Sequence, residues 1–336
     1  VTTSTVTSGY LFGRGFDAAL IGGVLALSLA LGALGLASEE AFYAVVLVDV
    51  WLLAYPHVAS TYTRIAFDRA SARRWWFFLT LLFPIVLALT LATTWLWGVV
   101  FLNSLYFYWQ TLHYSRQSWG IARAFGWAGL RGRAPDDGLV AAVVGLFPAW
   151  GLVQRAAEGH TFFYSSDLWV PPLPAWVASA TGALAMTVFV VWIVGRLLRG
   201  PRGHLPQTLF VLSHCAITAV AYLWVRDVTR GWLFVNVWHN AQYLLFVWAI
   251  NAREHRAPQP GAALLHWLCQ PRRAWIYGVV CLALATAIYS AFGAVASRLD
   301  FGPALPAVMV TFLAFNFHHY VIDTFIWRSK APSPTT

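Results

Sequence analysis

Charge is what this sequence has least of: 10% of its 336 residues are Asp, Glu, Lys or Arg. Soluble domains carry about 25% charged residues, so the chain lacks the polar surface to wet a globule. Cysteine is sparse too, and the three present, Cys215, Cys269 and Cys281, show no paired spacing. That excludes a disulfide framework and a thiolate zinc site and leaves packing thiols. Long polar stretches are missing. The longest connections, 123–137, 156–172 and 253–273, are too short for a second folded unit. No internal repeat is found, which weighs against an inverted-repeat transporter.

What is abundant is apolar and aromatic. Hydrophobic residues make up 59% of the chain and aromatics 16%, including 19 tryptophans, the residue that lines the two membrane interfaces. A helix needs about 20 apolar residues to cross about 30 Å of hydrocarbon. Apolar runs place spans near 17–37, 41–65, 75–94, 96–122, 138–155, 173–198, 205–225, 231–252, 274–296 and 303–327. The first run is longer than a signal-peptide core, so it is read as a span and not as a leader cleaved after Leu36-Ala37-Ser38. The expected fold is all-α, a polytopic transmembrane helical bundle of about ten spans. It forms a single transmembrane domain over 1–330, followed by a disordered tail at 331–336.

The basic residues orient that bundle. With the N-terminus inside, Arg155, Arg226, Arg230 and Arg298 are the outer members of the 22 basic residues, and the rest fall inside. The positive-inside rule makes the richer side cytoplasmic, so both termini are expected in the cytoplasm and the chain in the cell inner (cytoplasmic) membrane. The net charge of +9 is then a topology signal and an attraction to anionic lipid, and no nucleic-acid partner is expected. Residues 261–270 fit a short amphipathic helix on the cytoplasmic face.

Ionisable groups inside a bilayer are costly and each requires an explanation. His57, His113, His214, His239, His318 and His319 fall within spans, as do the carboxylates Asp49 and Asp323. Counted from the cytoplasmic ends, these imidazoles lie within about 8–20 Å of that face. Most have polar company at helical spacing. Asn103, Tyr106, Gln110, His113 and Gln117 form one stripe; Asn236, His239, Asn240 and Tyr243 form another, with Gln242 adjacent. Asn316, His319 and Asp323 align, and His57 shares a face with Thr61 and Arg64, with Asp49 about two turns further out. His214 has no such stripe and reads as a packing histidine; Arg64 and Arg116 suit lipid or substrate headgroups.

Neutral imidazole is the commonest metal ligand, and a carboxylate often completes the site or orients a ring. His57, His113, His239, His318, His319, Asp323 and Asp49 are therefore the expected ligands of one or two metal ions. Methionine and cysteine stand outside the histidine stripes, so non-haem iron is expected, with zinc or manganese as alternatives and copper(I) disfavoured. Tyr243, Gln110 and Asn240 are the candidate catalytic or substrate-orienting groups. Gln117, Asn236, Gln242 and Asn316 would support the ligands.

At Trp238-His239-Asn240-Ala241-Gln242-Tyr243 and Asn316-Phe317-His318-His319-Tyr320-Val321-Ile322-Asp323, the sequence resembles an uncharacterised family of histidine-bearing bacterial polytopic membrane proteins. The likeness runs from Phe16-Asp17 through His57 and His113-x-x-Arg116-Gln117 to the end, and it carries no activity. More loosely, the chain is similar to the membrane histidine-box oxygenases, the desaturase and hydroxylase class. That likeness implies a non-haem di-iron centre near the cytoplasmic face. His318-His319 matches part of such a box, while the HxxxH pattern of those enzymes is absent here.

The expectation is a membrane metalloenzyme that hydroxylates or desaturates a lipid or other apolar substrate reached through a channel from the inner leaflet, fed by an electron-donor protein. Two alternatives remain at this point. One is a haem b protein in quinone-linked electron transfer, using paired histidines as axial ligands. The other is a proton-coupled transporter built on the buried histidines and aspartates.

Overall fold

The computed structural model describes residues 9–129, 137–164, 166–200, 204–298 and 306–327. Within them the ten apolar segments are helical. The helices are α1 (Arg14–Ala37), α2 (Glu39–Ala66), the short α3 (Arg69–Arg74) and α4 (Trp76–Thr80), and α5 (Leu82–Gly129). They continue with α6 (Asp137–Ala157), α7 (Ala175–Arg199), α8 (Leu205–Trp224), α9 (Val228–Glu254), α10 (Ala263–Leu268), α11 (Ala274–Ala296) and α12 (Ala307–Ile326). A small antiparallel hairpin, β1 (Phe162–Phe163) and β2 (Ser166–Asp167), lies in the connection between α6 and α7. The expected tail at 331–336 and most of the 130–137 connection lie outside the described residues.

Seven helices, α1, α2, α5, α6, α7, α8 and α11, are long and apolar enough to cross a membrane, so this is a multi-span helical membrane protein. Helix α5 has 48 residues, about 72 Å if straight. It breaks at Gly98, whose φ of 79° and ψ of 174° suit a residue without Cβ. The expected boundary at 94–96 therefore falls a few residues later. Helices α9 and α12 are not among the seven because asparagine, glutamine and histidine lower their hydropathy. Helix α9 tolerates this because it is enclosed, with every residue from Gly231 to Tyr243 buried. Against it α1 presents Gly32, where an added Cβ would come within 2.3 Å of the Phe234 ring.

Local signals set the helix ends. Ser38 accepts from the amide of Ala41 and starts α2, Asp68 accepts from Ser71 and starts α3, and Asp227 accepts from Arg230 and starts α9. Before α1, the buried Asp17 carboxylate accepts the amides of Leu11 and Phe12 at 2.7 and 3.2 Å. Pro56 removes one helical N–H from α2, and the turn before it, Val50–Ala54, widens to a π-helix.

Tryptophans exposed on the outside mark two ends. Trp95, Trp97, Trp169, Trp176 and Trp224 gather at the hairpin end, which also holds Gly98 and the start of α9. Trp76, Trp267 and Trp275 lie at the other end, with the arginines of 64–74 and 253–273. There α10 is helical within the expected amphipathic stretch, burying Leu265 and Leu268 and exposing Leu264 and Trp267. The three cysteines are buried and unpaired, as packing thiols should be.

Candidate metal centre

Helices α2, α5, α9 and α12 each deliver one histidine to a common point. The rings of His57 and His239 are 4.6 Å apart, as are those of His57 and His319, while His113 lies 5.0 Å from both His239 and His319. Ligand atoms of His57, His113, His319 and Asp323 all fall within 4.8 Å of one another, and all four residues are buried. Ligands on one ion with bonds of about 2.1 Å can be at most about 4.2 Å apart. Closing the set around a metal thus asks for movements of about half an ångström.

The nitrogens themselves argue for an ion. His57 Nε2 and His319 Nε2 face each other at 2.7 Å, so they share either a proton or a metal. Among the described residues, His57 Nδ1, His113 Nε2, His239 Nδ1 and Asp323 Oδ2 are buried with no hydrogen-bond partner. A buried polar atom left in this state costs about 1–3 kcal/mol. The unpartnered atoms of His113 and Asp323, both members of the 4.8 Å set, are better explained by a cation than by packing.

The partners of His319 and Asp323 complete the arrangement. His319 Nδ1 lies 3.0 Å from Thr61 Oγ1, which donates to Asp323 Oδ1 at 3.1 Å. Tyr243 donates to the same oxygen at 2.6 Å and stacks its ring on His57 at 4.2 Å. Asp323 Oδ2 is left 3.6 Å from His319 Nε2. One carboxylate oxygen is thus held by the protein and the other points at the histidines. The basic residues that follow Asp323 on the chain, Arg328 and Lys330, lie outside the described residues.

Of the other expected ligands, His239 joins the ring cluster without entering the 4.8 Å set. His318 is turned away, which corrects the expectation that both members of the tandem face the metal. Its Nε2–H donates to the Phe78 carbonyl at 2.9 Å, and its Nδ1 accepts from the Tyr62 hydroxyl at 2.9 Å. Neighbours on a helix point about 100° apart, and here the second one faces inward. Asp49 also stands outside the set. Its carboxylate accepts from Asn236 Nδ2 and, at 3.2 Å, from Asn240 Nδ2.

That pairing opens a buried network. Asn236 Oδ1 accepts from the Tyr114 hydroxyl, and Gln110 Nε2 donates to Tyr106 at 3.0 Å while its Oε1 accepts from Trp232 Nε1 at 2.8 Å. The π-turn explains why Asp49 meets the same helix as His57. Eight residues of ideal α-helix leave a pair about 80° apart, and one residue absorbed in a widened turn brings them back to within about 20°.

Gln117 reaches the His239 carbonyl at 3.4 Å, Asn316 donates to the Phe312 carbonyl at 2.9 Å, and both side-chain polar atoms of the buried Gln242 lack a partner. Arg64 is committed to Asn251 and Glu254, at 2.8 and 3.1 Å, rather than free for a headgroup, and Arg116 is exposed. His214, read as packing, donates to or accepts a proton only through Nε2, where the partner is the Val144 carbonyl at 2.9 Å, so it is a donor there. Thr61, Tyr114 and Tyr320 were not expected in the site. Tyr320 stacks on His113 at 4.3 Å and Tyr114 packs on His239 at 4.0 Å. Each tyrosine follows a site histidine in sequence, a signal hidden by the general abundance of aromatics.

A cavity of about 450 Å³ adjoins the histidines. His57, His239 and His319 line one end, and Phe163, Tyr164 and Ser166 of the hairpin line the other. The hairpin is tied to the helices beneath it: Phe163 O accepts from Asn103 at 3.4 Å, Tyr164 N donates to Thr229 at 2.8 Å, and Trp169 N donates to Ser104 at 2.7 Å. The lining runs from Asn103 to Tyr114 on α5, so the cavity extends about 16 Å along that helix. It lies on the hairpin side of the metal centre, away from the arginine-rich end where the channel mouth was expected.

No family model, curated protein or solved structure matches this chain, so the reading of its function rests on the sequence and the site.

Proposed function

We propose that the chain is a membrane metalloenzyme that hydroxylates or desaturates an apolar substrate at a metal held by His57, His113, His319 and Asp323. One observation carries this reading: four buried ligand atoms from three helices lie within 4.8 Å of one another, and two of the residues, His57 and His319, line a cavity. Imidazoles with one carboxylate are the donor set of non-haem iron(II) sites, and zinc or manganese accepts the same donors. Bound iron would supply dioxygen activation, and an electron-donor protein would be its partner.

The chain's own residues do the rest. Thr61 and Tyr243 fix the Asp323 carboxylate, Thr61 also sets the tautomer of His319, and the ring of Tyr243 holds the plane of His57. His239, Asn240 and Gln110 border the cavity where substrate would lie. The close-packed helices exclude bulk water from the point of reaction. As an axial pair for haem, His57 and His319 are disfavoured by their spacing. Two imidazoles clamping an iron hold their nitrogens about 4 Å apart, whereas His57 and His319 are 2.7 Å apart.

The same proposal places the chain in the inner membrane with ten crossings and cytoplasmic termini. Its support is the ten helical segments, the arginine-rich end and the tryptophans at both ends. Cysteines introduced at the exposed Phe162 and Gln259 should then react with an impermeant maleimide from opposite sides. Labelling of both from one side would end the ten-crossing topology.

Elemental analysis and an optical spectrum of the detergent-purified protein test the metal reading. We expect one or two equivalents of non-haem metal per chain. A Soret band selects haem, and protein that stays metal-free from metal-replete cells returns the histidines and aspartates to proton-coupled transport.

A further inference from the structure

The cavity has two unlike walls. From α2 and α12 it receives Val46, Val50, Ala54, Phe312 and Leu313, with Asn316 donating to the Phe312 carbonyl of its own helix; from α5 and α9 it receives Asn103, Tyr106, Gln110, Asn236 and Asn240. Along α2, α5 and α9 these positions recur at three to four residues, so each of these helices shows the cavity one face along its length. Among the described residues, no lysine, arginine or carboxylate lines it. Asp49 is engaged by the outer side of the amide wall, through Asn236 and Asn240. The chamber is therefore apolar on one side and hydrogen-bonding but uncharged on the other.

From this we infer that the cavity binds an uncharged amphipathic molecule bearing hydroxyl or carbonyl oxygens, with its apolar body along α2 and α12 and its oxygens against α5 and α9. Along these walls a fatty-acid carboxylate or a phospholipid phosphate would be stripped of water without meeting a cationic side chain, which is strongly unfavourable. A volume of about 450 Å³ is within the about 300–1,000 Å³ typical of small-molecule sites. It suits one compact amphiphile, not a two-chain lipid. The end lined by His57, His239 and His319 is where such a molecule would present its reacting carbon. The inference rests on the metalloenzyme reading for the reaction but not for the binding.

The test uses three probes of one chain length, decan-1-ol, decanoate and decyltrimethylammonium, with binding to the full-length detergent-purified protein followed by native mass spectrometry. The alcohol should bind at least about 10-fold more tightly than either ion, given the cost of burying a charge. Ala54→Phe and Leu313→Phe fill the chamber from the two helices of its apolar wall, and each should abolish that preference while the protein remains monodisperse. Gln110→Leu removes an amide from the polar wall and should weaken the alcohol about 10-fold. Two helices are probed so that one misfolded variant leaves the other informative. Equal or tighter binding of decanoate or the ammonium ion overturns the substrate class, as does alcohol binding indifferent to both fillings. Measured after chelation as well, the preference should persist, so loss of the metal reading and loss of this one give different results.

Discussion

Replacing His319 by Ala should strip the metal from the protein, while replacing its neighbour His318 by Ala should leave it bound. The contrast is large because the two side chains do opposite jobs. His319 Nε2 faces His57 Nε2 at 2.7 Å and its ring lies against those of His113 and His57. Removing it deletes a ligand, which should cost more than the about 10–100-fold in affinity typical of an outer partner. His318 spends both nitrogens on Phe78 and Tyr62. Its loss leaves a carbonyl and a hydroxyl unpaired, for about 1–3 kcal/mol of stability, and touches no ligand. His57→Ala should behave as His319→Ala does. Metal content by mass spectrometry on purified, monodisperse variants decides the matter. Equal metal loss in the His318 and His319 variants would mean the tandem acts as a unit and the site is wrongly drawn.

The tandem also shows where sequence stops. Spacing of three and four residues placed His57, His113, His239 and His319 on stripes with polar company, and the structure brings these four rings together. It could not say which of two adjacent histidines faces inward, because that depends on the helix's rotation against its neighbours. Apolar runs marked α9 and α12 as spans although both fall outside the seven most apolar helices. Polar residues at helical intervals then showed which of their faces carry the site. Asp49 was assigned to the metal by periodicity, but its partners are the amides of α9 across the interface. The widened turn at Val50–Ala54 that aims it there has no signature in periodicity beyond Pro56. The cavity lay equally out of reach, because its two walls come from four helices far apart in sequence.

Asp323→Asn should likewise empty the site. The substitution preserves shape and removes only charge and one acceptor, so it reads the carboxylate's role without opening a hole. Oδ1 is already engaged by Tyr243 at 2.6 Å and Thr61 at 3.1 Å. Oδ2 has no hydrogen-bond partner and sits 3.6 Å from His319 Nε2, where an amide N–H₂ would meet the ion instead of a lone pair. Three neutral imidazoles leave a divalent cation uncompensated in a site without bulk water, and Asp323 is the carboxylate within the cluster's 4.8 Å. Its neutralisation therefore removes both a ligand and the counter-charge. Tyr243→Phe separates ligation from orientation. It keeps the ring stacked on His57 and deletes only the O–H that steadies Oδ1, so affinity should fall about 10–100-fold with the ligand set intact. Competitive chelator titration of the two variants measures both effects on one scale. Full metal content in Asp323→Asn, with Tyr243→Phe also unchanged, would make Asp323 a structural link between α2, α9 and α12 and would leave the metal to the histidines alone.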